Sequence, residues 1–162
     1  MLKRKIYIVV TIAVFISMGL GTSCFASLLN DELALDGISL TSSIQDVVEK
    51  YGEPTNAQDF HWNNGYFGMY DYEGMYRVCF LKSNGSIWSI ETWASNVVTS
   101  AGITVSMTKQ DVLGAYGNPN DQYYSNQGLE GYVYENSSGS HEMHFTFDHS
   151  GNIVEISIVN CL

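Results

Sequence analysis

The sequence predicts an α+β fold built from two tandem repeats, each a capped helix packed on a three- to four-stranded antiparallel β-meander. Three observations predict it. A segment that starts at Gly37 recurs from Gly102, both copies carry start and stop signals for one helix, and each helix is followed by short apolar strands. A short helical turn fits before each helix.

The recurring segment covers residues 37–54 and 102–119, which align without a gap. Eight of the eighteen aligned positions are identical, including the Tyr-Gly-x-Pro that ends each copy. Such self-similarity at a fixed offset is typical of duplicated structural units. The chain therefore divides into a first repeat at 37–99 and a second at 100–162, with an N-terminal linker at 27–36.

Each copy carries the signals of one helix. Ser43 and Thr108 are N-cap candidates, because a hydroxyl oxygen accepts a hydrogen bond from a free first-turn amide. Asp46 and Asp111 follow three residues later, where a carboxylate can complete a capping box and also suits the helix dipole. Both aspartates are therefore interpreted as helix-start residues. The stop signals are glycines followed by prolines, at Gly52, Pro54, Gly117 and Pro119.

The strands are predicted from runs of apolar residues bounded by turn signals. They cover 66–72, 76–81 and 87–93 in the first repeat, and 129–135, 142–147 and 153–159 in the second. The segments that follow the two prolines are polar and predict connections. Alternation predicts a face packed on the helix, formed by Trp88, Ile90, Thr92, Val154, Ile156 and Ile158.

The N-terminus predicts export. Lys3, Arg4 and Lys5 form a basic region, residues 6–20 are apolar or small, and Cys24-Phe25-Ala26 fits cleavage after Ala26. The apolar run is shorter than the roughly 20 residues that cross a bilayer as a helix. Residues 1–26 are therefore predicted to be a cleaved signal peptide of a secreted or extracytoplasmic protein, with an uncleaved membrane anchor as the alternative.

The charge balance limits the partners. The chain has seven basic and seventeen acidic residues. Removal of the signal peptide takes three basic residues, so the mature net charge is 4 − 17 = −13. Binding to phosphate backbones or anionic lipids needs clustered Lys and Arg, so nucleic acid and membrane surfaces are excluded as partners. The charge favours a basic partner, or it serves solubility alone.

Cys79 and Cys161 are the two cysteines of the mature chain. In an oxidising compartment they either form a disulfide, worth roughly 4 kcal/mol on the chain-entropy model, or remain two buried free thiols. Neither lies beside a histidine or within a nucleophile motif. The sequence leaves both alternatives open.

The sequence shows no catalytic constellation, so it predicts no enzyme, no cofactor and no metal site. Glu142 and His144 share one face of a predicted strand and are the nearest approach to a weak metal pair. His141 is expected on the opposite face, because side chains alternate along a strand.

Aromatic residues supply the candidate partner-binding site. If the tyrosines of two predicted strands lie on the sheet face away from the helices, they are exposed, and exposed Tyr and Trp are typical anchors of interfaces. The alternative is that these rings complete the core. The candidates are Trp62, Tyr66, Tyr70, Tyr72, Tyr132 and Tyr134.

The pattern of Gly-Ile, a helix carrying Asp-Val, and Tyr-Gly-x-Pro followed by a meander resembles the SmpA/OmlA type of small envelope-assembly lipoproteins. Doubled in tandem, it is similar to β-lactamase-inhibitory protein. The resemblance covers residues 37–159. It implies a binding scaffold in which a continuous sheet surface grips a partner protein through aromatic and acidic side chains.

Together these observations predict an exported, non-catalytic protein-binding module, either inhibitor-like or an accessory protein of the cell envelope. Its expected partner is an extracellular or envelope protein. The alternative is a cell-wall or glycan-binding protein in which Trp62, Tyr66 and Tyr70 stack on sugar rings.

Overall fold

The computed structural model describes residues 28–29 and 32–161. The predicted signal peptide lies outside these residues. Within them no helix is long and apolar enough to cross a bilayer. The helices are α1 (Ile44–Tyr51) and α2 (Lys109–Tyr116). The strands are β1 (Ala34–Leu35), β2 (Ile38–Ser39), β3 (Asn56–Trp62), β4 (Gly65–Tyr72), β5 (Tyr76–Leu81), β6 (Ile87–Thr92), β7 (Asp121–Tyr124), β8 (Glu130–Glu135), β9 (His141–Phe147) and β10 (Ile153–Asn160).

Eight of these strands form one antiparallel sheet in the order β3-β4-β5-β6-β10-β9-β8-β7. The predicted fold class was wrong. The described chain is mostly β, and a single wide sheet replaces the predicted α+β arrangement of two helix-on-meander repeats. β6 pairs with β10, with Ile90 opposite Ile158 and Glu91 opposite Ser157. In separate units both strands would be edges with unpaired backbone groups, and their pairing satisfies those groups.

Both helices begin at complete capping boxes, which confirms the predicted N-caps. The Asp46 amide donates to Ser43 Oγ (3.3 Å), and the Asp46 carboxylate accepts from the Ser43 amide (2.6 Å). Thr108 and Asp111 make the same pair of bonds at 3.3 and 2.8 Å. An N-cap of this kind contributes about 1 kcal/mol.

The two helices end at glycines in the left-handed region and pack on the same face of the sheet. The φ angles of Gly52 and Gly117 are +79° and +75°, as the stop signals predict. Val47 of α1 and Val112 of α2 are fully buried in one core cluster with central sheet residues such as Ile90. Neither α1 nor α2 lies on the opposite face of the sheet, and we call that face the helix-free face.

The outermost strands were not predicted. β3 and β7 are the edges of the sheet and correspond to segments interpreted as polar connections. All seven residues of β3 are exposed. The hydrophobic alternation that identifies a half-buried strand is therefore weak in β3, because neither of its faces is covered.

Two β-bulges change which face some side chains occupy. The register slips between β5 and β6 beside Trp88, and again at Val154 in β10. A slip of one residue moves a side chain to the other face. Ile90, Thr92, Ile156 and Ile158 are buried under the helices as predicted. Trp88 instead contacts Phe67 on the helix-free face, and Val154 lines a cavity there.

Candidate functional site

The helix-free face presents one continuous row of side chains across all eight strands. The register places one residue from each strand side by side, in the order Asn56, Asp71, Arg77, Glu91, Ser157, His144, Val133 and Asp121. Because side chains alternate along a strand, residues two positions away share this face. The row is polar at its centre, so this face differs sharply from the apolar face under the helices.

Arg77 organises the charges at the centre of the row. Its guanidinium donates to Asp71 Oδ1 (2.7 Å) and lies 3.6 Å from Glu91 Oε2. It also lies over the indole of Trp93, 5.2 Å from the ring centroid. The Trp93 indole Nε1–H in turn donates to Glu155 Oε2 (3.1 Å). This contact links the end of β6 to β10 across the centre of the sheet.

The surroundings of Glu91 disfavour its negative charge. Burial raises its pKa above the usual range, and the negative charge of Glu155 raises it further, while Arg77 opposes both effects. A carboxyl group whose pKa is higher in the folded protein than in the unfolded chain stabilises the fold only while it is protonated. That stability is present at low pH and is lost as the pH rises through the folded pKa.

We therefore expect Glu91→Gln to raise the free energy of unfolding at pH 7 by up to about 1 kcal/mol, because the amide carries no charge to desolvate and the lost Arg77 contact is partly exposed. Urea denaturation at pH 7 measures the gain. The gain should disappear below about pH 4, where Glu91 is itself protonated. A variant less stable than the wild type at pH 7 would show that the contact with Arg77 dominates.

Glu142 and His144 share the helix-free face, as predicted, and His144 Nε2 lies 2.8 Å from Glu142 Oε2. His141 lies three residues earlier in β9 and contacts Asn136 instead, at 3.4 Å from its Nδ1. Across residues 28–29 and 32–161, no three His, Cys, Asp or Glu side chains come together as a metal-binding group.

Four aromatic residues cluster at one end of the helix-free face: Phe60, Trp62, Phe67 and Trp88. We call this cluster the aromatic patch. The Phe67 ring lies 5.6 Å from Phe60, 6.1 Å from Trp62 and 5.5 Å from Trp88, measured between centroids. Trp62 is 49% exposed and Phe60 is 38% exposed, whereas Phe67 is buried beneath them. These rings, together with Cys79 and Ser89, line a cavity of about 270 Å³.

A glycine sets the position of the buried ring. Gly65 lies opposite Trp62 in the β3–β4 hairpin. A Cβ atom at Gly65 would lie 2.5 Å from Cε2 of Phe67, so the Phe67 ring occupies the space that a side chain would fill. The close approach requires glycine. The patch is therefore a packed arrangement rather than a group of loose side chains.

Of the predicted partner-binding residues, Trp62 alone belongs to the patch. Tyr66 is exposed, but it lies on the other side of β4, where it stacks on His61 (4.7 Å between centroids) and donates to Asp59 (2.9 Å). Tyr70 is half-buried and packs against Phe80 at 4.8 Å between centroids. These three residues do not form one surface.

The other three candidates, Tyr72, Tyr132 and Tyr134, are buried in the core. The premise that they lie on the face away from the helices was wrong. The Tyr72 hydroxyl donates to the carbonyl of Gly52 (3.0 Å), and that of Tyr134 donates to the carbonyl of Gly117 (3.0 Å). Both tyrosines therefore connect the sheet to the end of a helix. Because their side chains are buried, they cannot contact a partner.

Sequence reasoning missed Phe60 and Trp88 as site residues. Phe60 lay in a segment interpreted as a connection, although Phe60 and Trp62 alternate with the polar Asp59 and His61, which is a weak strand signal. Trp88 was assigned to the helix face because its bulge has no local sequence signal.

Cys79 and Cys161 are both free and half-buried. Cys79 lies in β5 and Cys161 follows β10, with β6 between these strands. Two strand spacings make roughly 10 Å, which exceeds the Cα separation that a disulfide spans. Burial raises the pKa of both thiols, that of Cys161 to about 11, where the nearby Glu142 carboxylate adds to the effect. Both thiols are therefore protonated at neutral pH and weakly nucleophilic.

Two solved structures share this fold. A cysteine-rich secretory protein from Staphylococcus aureus is 11% identical, with a TM-score of 0.55 over 84% of this chain and 50% of that protein. An extracellular protein with an SCP domain from Bacillus anthracis is 11% identical, with a TM-score of 0.50 over 99% of this chain and 50% of that protein. The chain spans half the length of each.

Two more structures are similar at lower scores. YjgB, a DUF4309 family protein from Bacillus subtilis, is 20% identical with a TM-score of 0.46, over 74% of this chain and 79% of YjgB. A candidate β-lactamase inhibitor protein from Streptococcus mutans is 13% identical with a TM-score of 0.33, over 83% of this chain and 89% of that protein. A protein of the inhibitor type is thus among the similar structures, but at these scores neither carries an argument. The resemblance to the SmpA/OmlA type stays a prediction.

No protein-family model matches the sequence, and no curated protein matches it. What the comparisons establish is therefore the fold, which this chain shares with parts of two larger bacterial proteins.

Proposed function

We propose that the chain is an exported, non-catalytic module that binds another protein through the aromatic patch on its helix-free face. One observation carries the proposal. Phe60 and Trp62 are exposed side by side over a cavity of about 270 Å³, on a sheet face that neither α1 nor α2 covers. Two large exposed rings beside a preformed apolar cavity are typical of a protein-binding anchor site.

The packing of the patch supports this role. Phe67 and Trp88 hold the two exposed rings from below, so little side-chain entropy is lost when a partner covers them.

The charge of the chain indicates the partner's chemistry. The mature chain has a net charge of 4 − 17 = −13 if cleavage follows Ala26. A strongly acidic surface attracts basic proteins and repels acidic ones over the range of a Debye length. The partner is therefore a protein of the cell exterior or envelope with a basic surface.

The proposed location rests on the N-terminal sequence. The basic start, the apolar run and the small residues before Ser27 fit a signal peptide cleaved after Ala26. The two proteins that share the fold are described as secretory and extracellular, which agrees with export.

Two features support a non-catalytic role. The thiols of Cys79 and Cys161 have raised pKa values and are poor nucleophiles. Asp71 and Glu91 are held by Arg77 in the centre of a sheet, where they act as structural ion pairs.

The sequence also predicted a glycan-binding alternative, and the positions of its three aromatic residues do not support it. It needs Trp62, Tyr66 and Tyr70 on one platform, but Tyr66 and Tyr70 lie on the opposite side of β4 from the aromatic patch.

A site-specific cross-linking experiment tests the proposal. Phe60 is replaced by a photoreactive phenylalanine derivative, which keeps its ring, and the purified protein is irradiated in envelope and culture extracts of the source organism. We expect one dominant cross-linked protein, lost when unlabelled wild-type protein competes and retained when the competitor is Trp62→Ala. Trp62→Ala should weaken binding of that protein by roughly 30-fold or more, as expected for a hot-spot tryptophan.

Tyr124 provides the matched control. It is an aromatic residue on the other edge strand and is 75% exposed. The same photoreactive group at position 124 should give no specific product. Equal products at positions 60 and 124, or none at either, would exclude the aromatic patch as the binding site.

A further inference from the structure

A second and larger cavity lies at the other end of the helix-free face. It encloses about 620 Å³ between Trp93, Tyr123 and the loop that joins β7 to β8. This volume is in the range of small-molecule sites and accommodates one or two sugar rings. The aromatic patch contributes no residue to it.

The two aromatic rings of this cavity are held in place. Tyr123 lies flat on β8, because a Cβ atom at Gly131 would fall 2.2 Å from its ring. Its hydroxyl also forms a hydrogen bond with Thr146 Oγ1 at 2.7 Å. Trp93 is 41% exposed and lines both this cavity and a neighbouring one that contains Arg77. The electron-rich faces of fixed aromatic rings suit the C–H face of a pyranose.

The rest of the lining combines the apolar side chains of Leu129 and Val154 with polar, mostly uncharged ones. The loop contributes Ser125, Asn126 and Gln127. Amide side chains both donate and accept hydrogen bonds, which matches the paired hydroxyls of a sugar.

The charge of the cavity determines which class of sugar it can bind. Glu155 lines it and accepts a hydrogen bond from Trp93. In residues 28–29 and 32–161, Glu155 has no basic side chain within ion-pair distance. An acidic cavity of this kind repels uronic acids and phosphorylated ligands and attracts an ammonium group.

We propose that this cavity binds a glycan residue that carries a free amino group, with Trp93 and Tyr123 stacking on the ring and Glu155 pairing with the ammonium. This binding activity is separate from the protein-binding role of the aromatic patch, and each can fail without the other.

Calorimetric titration of the full protein with three trisaccharides tests the proposal at about pH 6, above the pKa of a free Glu side chain in solution. The trisaccharides are built from glucosamine, from N-acetylglucosamine and from glucose. We expect the glucosamine trisaccharide to bind at least about tenfold more tightly than either of the others, since one ion pair in a partly enclosed site is worth about 1.4 kcal/mol or more.

Substitutions separate the contributions of the aromatic ring and of the carboxylate to binding. Trp93→Ala should weaken binding of the glucosamine trisaccharide by about tenfold or more, while Trp93→Phe, which keeps an aromatic ring, should recover most of the affinity. Glu155→Gln should remove the preference for the amino sugar but leave weak binding of all three. Trp62→Ala, in the aromatic patch, should bind like the wild type.

Several outcomes would overturn the proposal. Among them are no heat with any trisaccharide, and binding that is unchanged in both Trp93→Ala and Glu155→Gln. Trilysine serves as a probe of simple charge attraction, and affinity equal to that of the glucosamine trisaccharide would show that the cavity recognises cations rather than sugars.

Discussion

Replacing Phe145 by alanine should destabilise the whole protein by about 3–5 kcal/mol, the usual cost of deleting a buried aromatic ring. Phe145 is completely buried in β9, and its ring lies 5.4 Å from that of Tyr116 in α2 and 5.8 Å from that of Tyr134 in β8. The cavity left by the ring cannot close easily, because the helix and two strands around it are held by other contacts. A loss of this size is a large fraction of the 5–15 kcal/mol that stabilises a typical domain.

Urea unfolding of Phe145→Ala, monitored by tryptophan fluorescence, measures this loss of stability. All three tryptophans, Trp62, Trp88 and Trp93, precede residue 94, far from Phe145 in the sequence. Because β6 and β10 join all eight strands in one sheet, we expect the fluorescence midpoint to fall together with that of far-UV circular dichroism.

Tyr124→Ala is the matched control, since Tyr124 is an aromatic residue that packs little in the fold. Its substitution should change the free energy of unfolding by no more than about 0.5 kcal/mol. If Phe145→Ala left the fluorescence transition unchanged while circular dichroism showed an early second transition, the chain would unfold as two independent units, and the single sheet would be wrong.

Local features of the fold could be predicted from the sequence because their causes lie within a few residues. The capping boxes of Ser43 and Thr108 need only a hydroxyl and an acid three positions apart. Gly74, Gly85 and Gly151 each adopt a positive φ in the short segments between predicted strands. The ends of β5 agree with the prediction, and those of the other predicted strands differ by at most one residue.

The faces of the strands could not be predicted in the same way. Tyr132-Val133-Tyr134 has large apolar side chains on both sides of β8, so hydrophobicity does not indicate which side lies under the helices. The sequence left open whether these tyrosines are exposed or complete the core. They are the larger rings and fill the space beside α2 and β9. The volume available for side-chain packing therefore determines which side of β8 is buried, and that volume is a property of the assembled fold.

The candidate site depends on contacts between distant parts of the chain. The hydrogen bond from Trp93 to Glu155 joins residues 62 positions apart. Neither residue stands in a motif, and the bulge beside Val154 sets which side chains line the cavity. Trp62 was identified from its residue type alone. Phe60, Trp88, Trp93 and Tyr123 became visible only when the register of the sheet was known.

The second large effect should come from a proline in β10. Ser157 lies between Glu91 of β6 and His144 of β9 and is buried. With a neighbouring strand on each side, its amide N–H donates to one of them, and proline removes that donor and clashes with the ladder. We expect Ser157→Pro to lower the free energy of unfolding by at least about 3 kcal/mol, as measured by urea denaturation. In solution conditions that already destabilise the protein, the variant should no longer unfold cooperatively.

Ser157→Ala keeps the amide and should stay within about 1 kcal/mol of the wild type, so it separates the backbone effect from the loss of the hydroxyl. The outcome also bears on function. Trp93 directly follows β6 and Glu155 lies in β10, so the 620 Å³ cavity exists only if β6 and β10 pair. A Ser157→Pro protein with wild-type stability would mean that β10 is an edge strand, and the proposed amino-sugar site would then lose its second wall.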